Sequence, residues 1–174
     1  IINDMLNLSR YSSKNVMLEL TRFNLSELVN EVHRSYSTLL KEKRLLFIND
    51  VQKDTMIYAD KDKFYHIISN LLSNSIKSSD RGTIRVTAVL RSNRFEVIVQ
   101  DEGIGIKQEE IPYIFDRYYR VDESRSRQTG GSGLGLAIVK AYVQAHKGQI
   151  EVSSELNKGT QFTIILPATI VNNN

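Results

Sequence analysis

The chain has 174 residues, 41% of them hydrophobic and 25% charged, with 9 glycines, 2 prolines and no cysteine. That suffices for one domain with a real core, excludes disulfides and thiolate metal sites, and is compatible with a reducing compartment. A net charge of +3 with both signs scattered is too weak a field to argue for nucleic acid, and no run of about 18 apolar residues would span a bilayer.

In chain order, IINDMLNLSR sets Ile2, Met5, Leu6 and Ser9 at helical spacing with no capping residue ahead of them. The expectation is the end of a helix cut from a longer protein. SSKN (Ser12 to Asn15) reads as a linker, and VMLELTRF (Val16 to Phe23) alternates like a strand. The next helix opens on a capping box of Asn24 and Glu27, with Leu25, Leu28, Val32, Tyr36 and Leu39 or Leu40 on its apolar face. LLFIND and TMIYAD look like two short strands. Asp60 should cap a second helix that turns Phe64, Ile67, Ile68, Leu71, Leu72 and Ile76 inward.

From Gly82, TIRVTAVL and RFEVIVQD alternate on either side of RSN and predict a hairpin. DEGIGI and the segment up to Gly131 read as loop, with a short helix around QEEIPYIF. GLGLAIVKAYVQAHK is apolar on most sides and predicts a well-buried helix. QIEVSSEL and TQFTIILP, separated by NKG, form a second hairpin, and VNNN is a polar tail. Hairpins interleaved with three long helices argue an α+β sandwich with the helices over one sheet face.

Within IISNLLSNSIK (Ile67 to Lys77), Asn70 and Asn74 interrupt a helix although Asn is a poor helix former. At 100° per residue His66, Asn70, Asn74 and Lys77 share a narrow stripe opposite the apolar face. Either that stripe merely faces water, or it serves a ligand. An Asn carbonyl is a neutral oxygen ligand for a hard cation such as Mg²⁺, and a lysine one turn on supplies a point charge for phosphate.

Two glycine segments bear on the choice. DEGIGI ends a strand at Asp101 and places Gly103 and Gly105 after it, a weak signal alone. GGSGLGLAIVK runs Gly131, Gly133 and Gly135 straight into a helix, whose bare N–H groups make a phosphate site. No strand leads directly into it as a dinucleotide fingerprint requires, no GK[ST] follows for a P-loop, and the HRD and DFG elements of protein kinases are missing.

Taken together these elements resemble the ATP-binding catalytic domain of sensor histidine kinases, within the wider group of gyrase, Hsp90 and MutL ATPase domains. NLLSNSIK resembles the N box, DEGIGI the G1 box, IFDRYYRVD (Ile114 to Asp122) the F box and GGSGLGLAIVK the G2 box, while HKGQI and KGTQFTIILP resemble the closing hairpin. The resemblance implies an α/β sandwich: a mixed, mostly antiparallel sheet, three helices on one face and a mobile lid over residues 106–132. It divides the chain into a remnant of the dimerisation helix (1–14), linker and first strand (15–24), catalytic domain (25–171) and polar tail (172–174).

Carried over by position, the resemblance makes Asn74 the Mg²⁺ ligand, with Asn70 and Lys77 beside the phosphates, and Asp101 the acceptor for the adenine amino group. Gly103 and Gly105 would let backbone approach the nucleotide, with Ile106 beside it. Ser132, Gly133, Leu134, Gly135 and Leu136 would line the phosphates. Phe115 would anchor the lid by packing, Arg117, Tyr119 and Arg120 would contact nucleotide or the acceptor helix, and Thr160 would lie beneath adenine. In the related ATPases the residue four before the metal-binding Asn is a water-activating Glu. Here it is Asn70, which cannot act as a base, so hydrolysis should be slow.

Two departures stand out. Many members carry an aromatic residue where this chain has Ser78. The family's phosphoacceptor pattern, a His-Glu segment with a proline five residues on, is absent from the surroundings of His33, His66 and His146. The implied activity is transfer of the γ-phosphoryl group of Mg·ATP to a histidine on dimerisation helices of the parent protein, for relay to a response regulator aspartate. The implied setting is the cytoplasmic part of a bacterial membrane sensor, with no nucleic acid and no membrane contact by this segment. An ATPase or serine kinase acting on a regulatory partner, or a nucleotide sensor without catalysis, are the competing readings.

Overall fold

The structure, a computed structural model, describes residues 16–120 and 132–172. Expectations for the helix remnant and the SSKN linker, for lid residues 121–131 and for the last two tail residues lie outside these. Seven strands and four helices follow in the order β1 (Leu20–Asn24), α1 (Leu25–Glu42), β2 (Leu45–Asn49), β3 (Met56–Asp60), α2 (Lys61–Ser78), β4 (Gly82–Arg91), β5 (Arg94–Asp101), α3 (Gly135–Ala145), β6 (Gln149–Glu155), β7 (Gly159–Pro167) and α4 (Thr169–Asn172), with a 3₁₀ turn at Ile111–Tyr113 between β5 and α3. Among them no helix is long and apolar enough to cross a membrane.

The helix starts follow their caps. Asn24, in extended conformation, accepts the Glu27 amide at 3.1 Å, and Asp60 accepts the Lys63 amide at 3.0 Å, each satisfying one of the orphan donors of a first turn. The main sheet runs β2-β4-β5-β7-β6. Its β2–β4 pair is parallel, starting from Leu45 opposite Gly82, and the others are antiparallel. Alternation divides its faces: Val97 and Val99 of β5 and Phe162 and Ile164 of β7 are buried, whereas Gln100 of β5 is exposed. The inward residues meet Leu28 and Val32 of α1 and Ile67, Ile68, Leu71 and Leu72 of α2 in one core. This is the expected mixed, mostly antiparallel α+β sandwich.

Several local expectations need correction. VMLELTRF becomes strand only from Leu20, and β1 pairs with β3 as a separate two-stranded ribbon, so the two short strands β2 and β3 belong to different sheets. Leu40 rather than Leu39 completes the inner face of α1. Helix α3 is buried only along Val139, Tyr142 and Val143, because its apolar flanks are left half open beside the site described below. The VNNN tail is not wholly irregular, since Val171 and Asn172 continue the helical turn α4.

Candidate functional site

At the end of β5, Asp101 is 3% exposed. Its Oδ1 accepts the backbone N–H groups of Gly103 at 3.0 Å and Thr160 at 3.2 Å, and its Oδ2 accepts the Ser75 hydroxyl at 2.8 Å. Burial pushes the carboxyl above the usual carboxylate range, against the opposing pull of those three donors. A carboxylate offers about four acceptor positions, so Oδ2 keeps one open for a further N–H donor. Thr160 joins the same network, its Oγ1 lying 2.9 Å from Ser154 Oγ, which accepts the Ile106 amide at 2.8 Å.

The glycines of DEGIGI serve these approaches directly. A Cβ on Gly103 would lie 2.6 Å from Ser78 O, 2.8 Å from Ser79 Oγ and 2.9 Å from Asp101 Oδ1. At Gly105, where φ is +71°, it would lie 2.1 Å from Glu155 O. The space that glycine leaves free here is therefore filled by the chain itself. Ser79 Oγ is buried and has no hydrogen-bond partner among the described residues.

The predicted stripe is present on α2. Asn70 and Asn74 are half-buried and His66 and Lys77 exposed. Helix α3 begins against this stripe: a Cβ on Gly135 would lie 2.6 Å from Asn70 Oδ1, while Asn70 Nδ2 donates to His66 O at 2.8 Å. The Asn70 nitrogen is thus tied to its own helix, and its oxygen faces the space that a side chain at position 135 would fill. Further along, the His66 and Tyr142 rings lie 6.4 Å apart. Leu134, the N-cap of α3, offers no side-chain cap, so the N–H groups of the first turn are available to an anion.

Phe115 anchors the segment after DEGIGI as expected, with its ring edge-on to Phe162 at 6.4 Å and Lys140 Nζ 5.6 Å from its centroid. Tyr119 is half-buried and donates its hydroxyl to Glu110, which pushes its pKa up to about 12. Arg117 and Arg120 are exposed. The Tyr118 amide donates to Gly133 O at 2.9 Å, which brings Gly133 beside this segment. Ser132, Gly133, Gly135 and Leu136 are half-buried and Leu134 is buried.

Asn70, Asn74 and Ser75 thus stand on one helix, with Asp101 touching its C-terminal half and Gly135 its centre. Sequence reasoning passed over Ser75 and Ser154. A serine in the middle of an apolar run was the available signal for Ser75; Ser154, in an alternating strand, offered none.

Comparison with known proteins agrees with this fold. Over 172 residues the chain is 37% identical to the sensor histidine kinase WalK of Bacillus subtilis, covering 96% of this chain and 28% of that protein. It is 36% identical over 177 residues to the autoinducer 2 sensor kinase/phosphatase LuxQ of Vibrio cholerae, covering 98% of this chain and 21% of that one. The chain therefore spans between a fifth and a third of these relatives. Among solved structures, full-length ShkA in complex with AMPPNP superposes with a TM-score of 0.82 at 28% identity, covering 95% of this chain and 35% of that one. The histidine kinase AdeS of Acinetobacter baumannii gives 0.79 at 25% identity, covering 96% and 76%. Residues 59–170, more than half of the sequence and the part that holds Asn70, Asn74, Asp101 and Gly135, match one family profile, and the chain belongs to the histidine kinase-, DNA gyrase B- and HSP90-like ATPase family.

Proposed function

We propose that this chain binds Mg·ATP and delivers the γ-phosphoryl group to a histidine on the dimerisation helices of a two-component sensor kinase, from which it passes to an aspartate of a response regulator. The observation that carries the reading is Asp101, a buried carboxylate with three internal donors and one open acceptor position, at the foot of the asparagine stripe. An exocyclic amino group satisfies that position, whereas a carbonyl there would face the carboxylate, so the site selects adenine over guanine. Ser79 Oγ, buried and unpartnered beside Gly103, provides a second polar group for a base edge or an ordered water. Ile106 and Thr160 flank this end.

Toward the other end of the stripe, Ser132 through Leu136, the approach to α3 and the start of its first turn, presents backbone N–H groups to the phosphates. Arg117, Tyr119 and Arg120 contribute from the Phe115 segment, and Lys77, exposed in the last turn of α2 nearer Asp101, adds a point charge from there. Among the described residues no cluster of three or more His, Cys, Asp or Glu could hold a metal. An asparagine carbonyl suits Mg²⁺, which takes few protein ligands and fills the rest with phosphate and water; Asn74 Oδ1 would be the protein's ligand. When bound, the ion would neutralise charge on the transferring phosphoryl group. Asn70 offers no basic lone pair, and its amide nitrogen is held by His66 O. Water is thus left without a general base, and the phosphoryl group is kept for a better nucleophile.

The parent is a membrane sensor whose cytoplasmic side carries this domain. The reading is tested by mixing the chain with γ-labelled ATP and a separately produced dimerisation fragment from its parent. Acid-labile phosphohistidine on the fragment is expected. Steady phosphate release by the chain alone, or phosphoserine on a partner, would replace the reading with an ATPase or a serine kinase.

A further inference from the structure

Helix α2 carries the asparagine stripe, and its C-terminal carbonyls, like those of any helix, need partners from elsewhere. They find one in Lys43, the C-cap residue of α1, which sits in no recognised motif. Its ammonium reaches across to donate to Ile76 O at 2.7 Å and Ser79 O at 3.1 Å. A cation at this end also opposes the negative pole of the helix. The same turn supports the DEGIGI loop: Ser78 O accepts the Ile104 amide at 2.9 Å, Gly103 nestles against Ser78 O and Ser79 Oγ, and Ser75 Oγ donates to Asp101 Oδ2. One chain of contacts therefore runs from Lys43 through residues 75–79 to both flanks of Asp101.

We infer that Lys43 is a positioning residue for base recognition, acting through the last turn of α2 without itself touching the nucleotide. The inference rests on the proposed role of Asp101 as the adenine acceptor. In Lys43→Met the two carbonyls lose their donor and the turn loosens, so Ser75 and the Ser78–Ile104 bond no longer hold Asp101 and Gly103 in register. A buried carboxylate displaced by even a fraction of an ångström costs specificity for the 6-amino group more than it costs phosphate binding.

The test is calorimetric titration of the whole chain with Mg·ATP and with purine riboside triphosphate, which lacks the 6-amino group. The unaltered chain should prefer ATP. Lys43→Met should bind ATP about tenfold more weakly, within the usual range of coupling between sites, and should lose most of the preference between the two nucleotides. Lys43→Arg should restore both. A purely structural lysine would shift the melting temperature but leave the nucleotide ratio of the folded protein unchanged, and that result would overturn the inference. Should Lys43→Met fail to give a cooperative melt, Lys43→Gln, whose amide can reach one carbonyl, serves instead: an intermediate loss of preference supports the inference and an unchanged ratio removes it. Absence of ATP binding by the unaltered chain would instead remove the adenine reading, and this inference with it.

Discussion

The two ends of the site are built differently. At the Asp101 end the polar side chains are buried and, Ser79 Oγ apart, held: the carboxylate has three donors, Thr160 and Ser154 share a hydrogen bond, and the DEGIGI glycines are pressed against backbone. At the Gly135 end the asparagines are half-buried, Arg117 and Arg120 are exposed, and α3 begins without a side-chain cap. The first end is preorganised and, on the proposed reading, recognises by subtraction, because a wrong base leaves a buried carboxylate facing a carbonyl. The second, on the same reading, recognises charge, which groups nearer the surface can supply.

The largest expected effect breaks the held end. Asp101→Ala should weaken ATP binding by about 100-fold, the consequence of losing a hydrogen bond to a charged group worth roughly 1.5–3 kcal/mol. Asp101→Asn is more discriminating. Its amide oxygen can keep the Gly103 and Thr160 donors, while its nitrogen, facing Ser75, presents a donor where an acceptor stood. The preference should then move from ATP toward a 6-keto nucleotide such as GTP, read by competition against a fluorescent nucleotide. Unchanged ATP preference in both variants would mean that this end does not read the base.

A smaller effect separates the two ends. In Gly135→Ala the new methyl would meet Asn70 Oδ1 at 2.6 Å, and the Asn70 amide is already tied to His66 O. Helix propensity favours alanine by up to about 1 kcal/mol, so the fold should lose little stability. The start of α3 should nevertheless be pushed off α2, weakening ATP by about tenfold, a plausible coupling between neighbouring elements, while adenosine, which lacks phosphates, binds as before. Equal losses for ATP and adenosine would mean that the two ends are not independent. Relief of the defect by Asn70→Ala in the same chain would locate the clash.

How much of this the sequence disclosed follows the same division. Periodicity announced α1, α2 and both hairpins, since an apolar stripe or an alternating run is a local property. It did not announce that β2 pairs in parallel with β4 while β3 joins β1, because strand partners are chosen by what α2 packs against. Asn70, Asn74 and Asp101 stood out as polar residues at unusual places. The glycines also stood out, but for a different reason: Gly103 and Gly135 make room for Ser79 and Asn70, residues distant in sequence. Lys43 was just one more lysine near a helix end. Its meaning depends on a carbonyl 33 positions away, and no local pattern encodes that.

The smallest expected effect lies at the far end of α3, away from both halves of the site. His146 Nε2 accepts the Asp60 amide at 3.1 Å, and Nδ1 lies 2.7 Å from Tyr142 O. The neutral imidazole with its proton on Nδ1 satisfies both partners, whereas the imidazolium would point an N–H at an N–H. Burial lowers its pKa, the Tyr142 carbonyl and the Asp60 carboxylate oppose that, and the Lys63 ammonium adds to it. The net result is a folded-state pKa below the ordinary value of 6.5. In the unfolded chain the ring takes up a proton as pH falls through that value, while in the folded chain it does not. The contribution of His146 is therefore fully present above the unfolded pKa and is lost progressively below it. His33, stacked on Phe47 and also lowered, adds a slope of the same sign, so the difference between chains isolates His146. The unaltered chain should lose a few degrees of melting temperature between neutral pH and the low fives, and His146→Gln should lose less. Parallel slopes in the two chains would show that the Asp60 amide does not depend on a neutral ring.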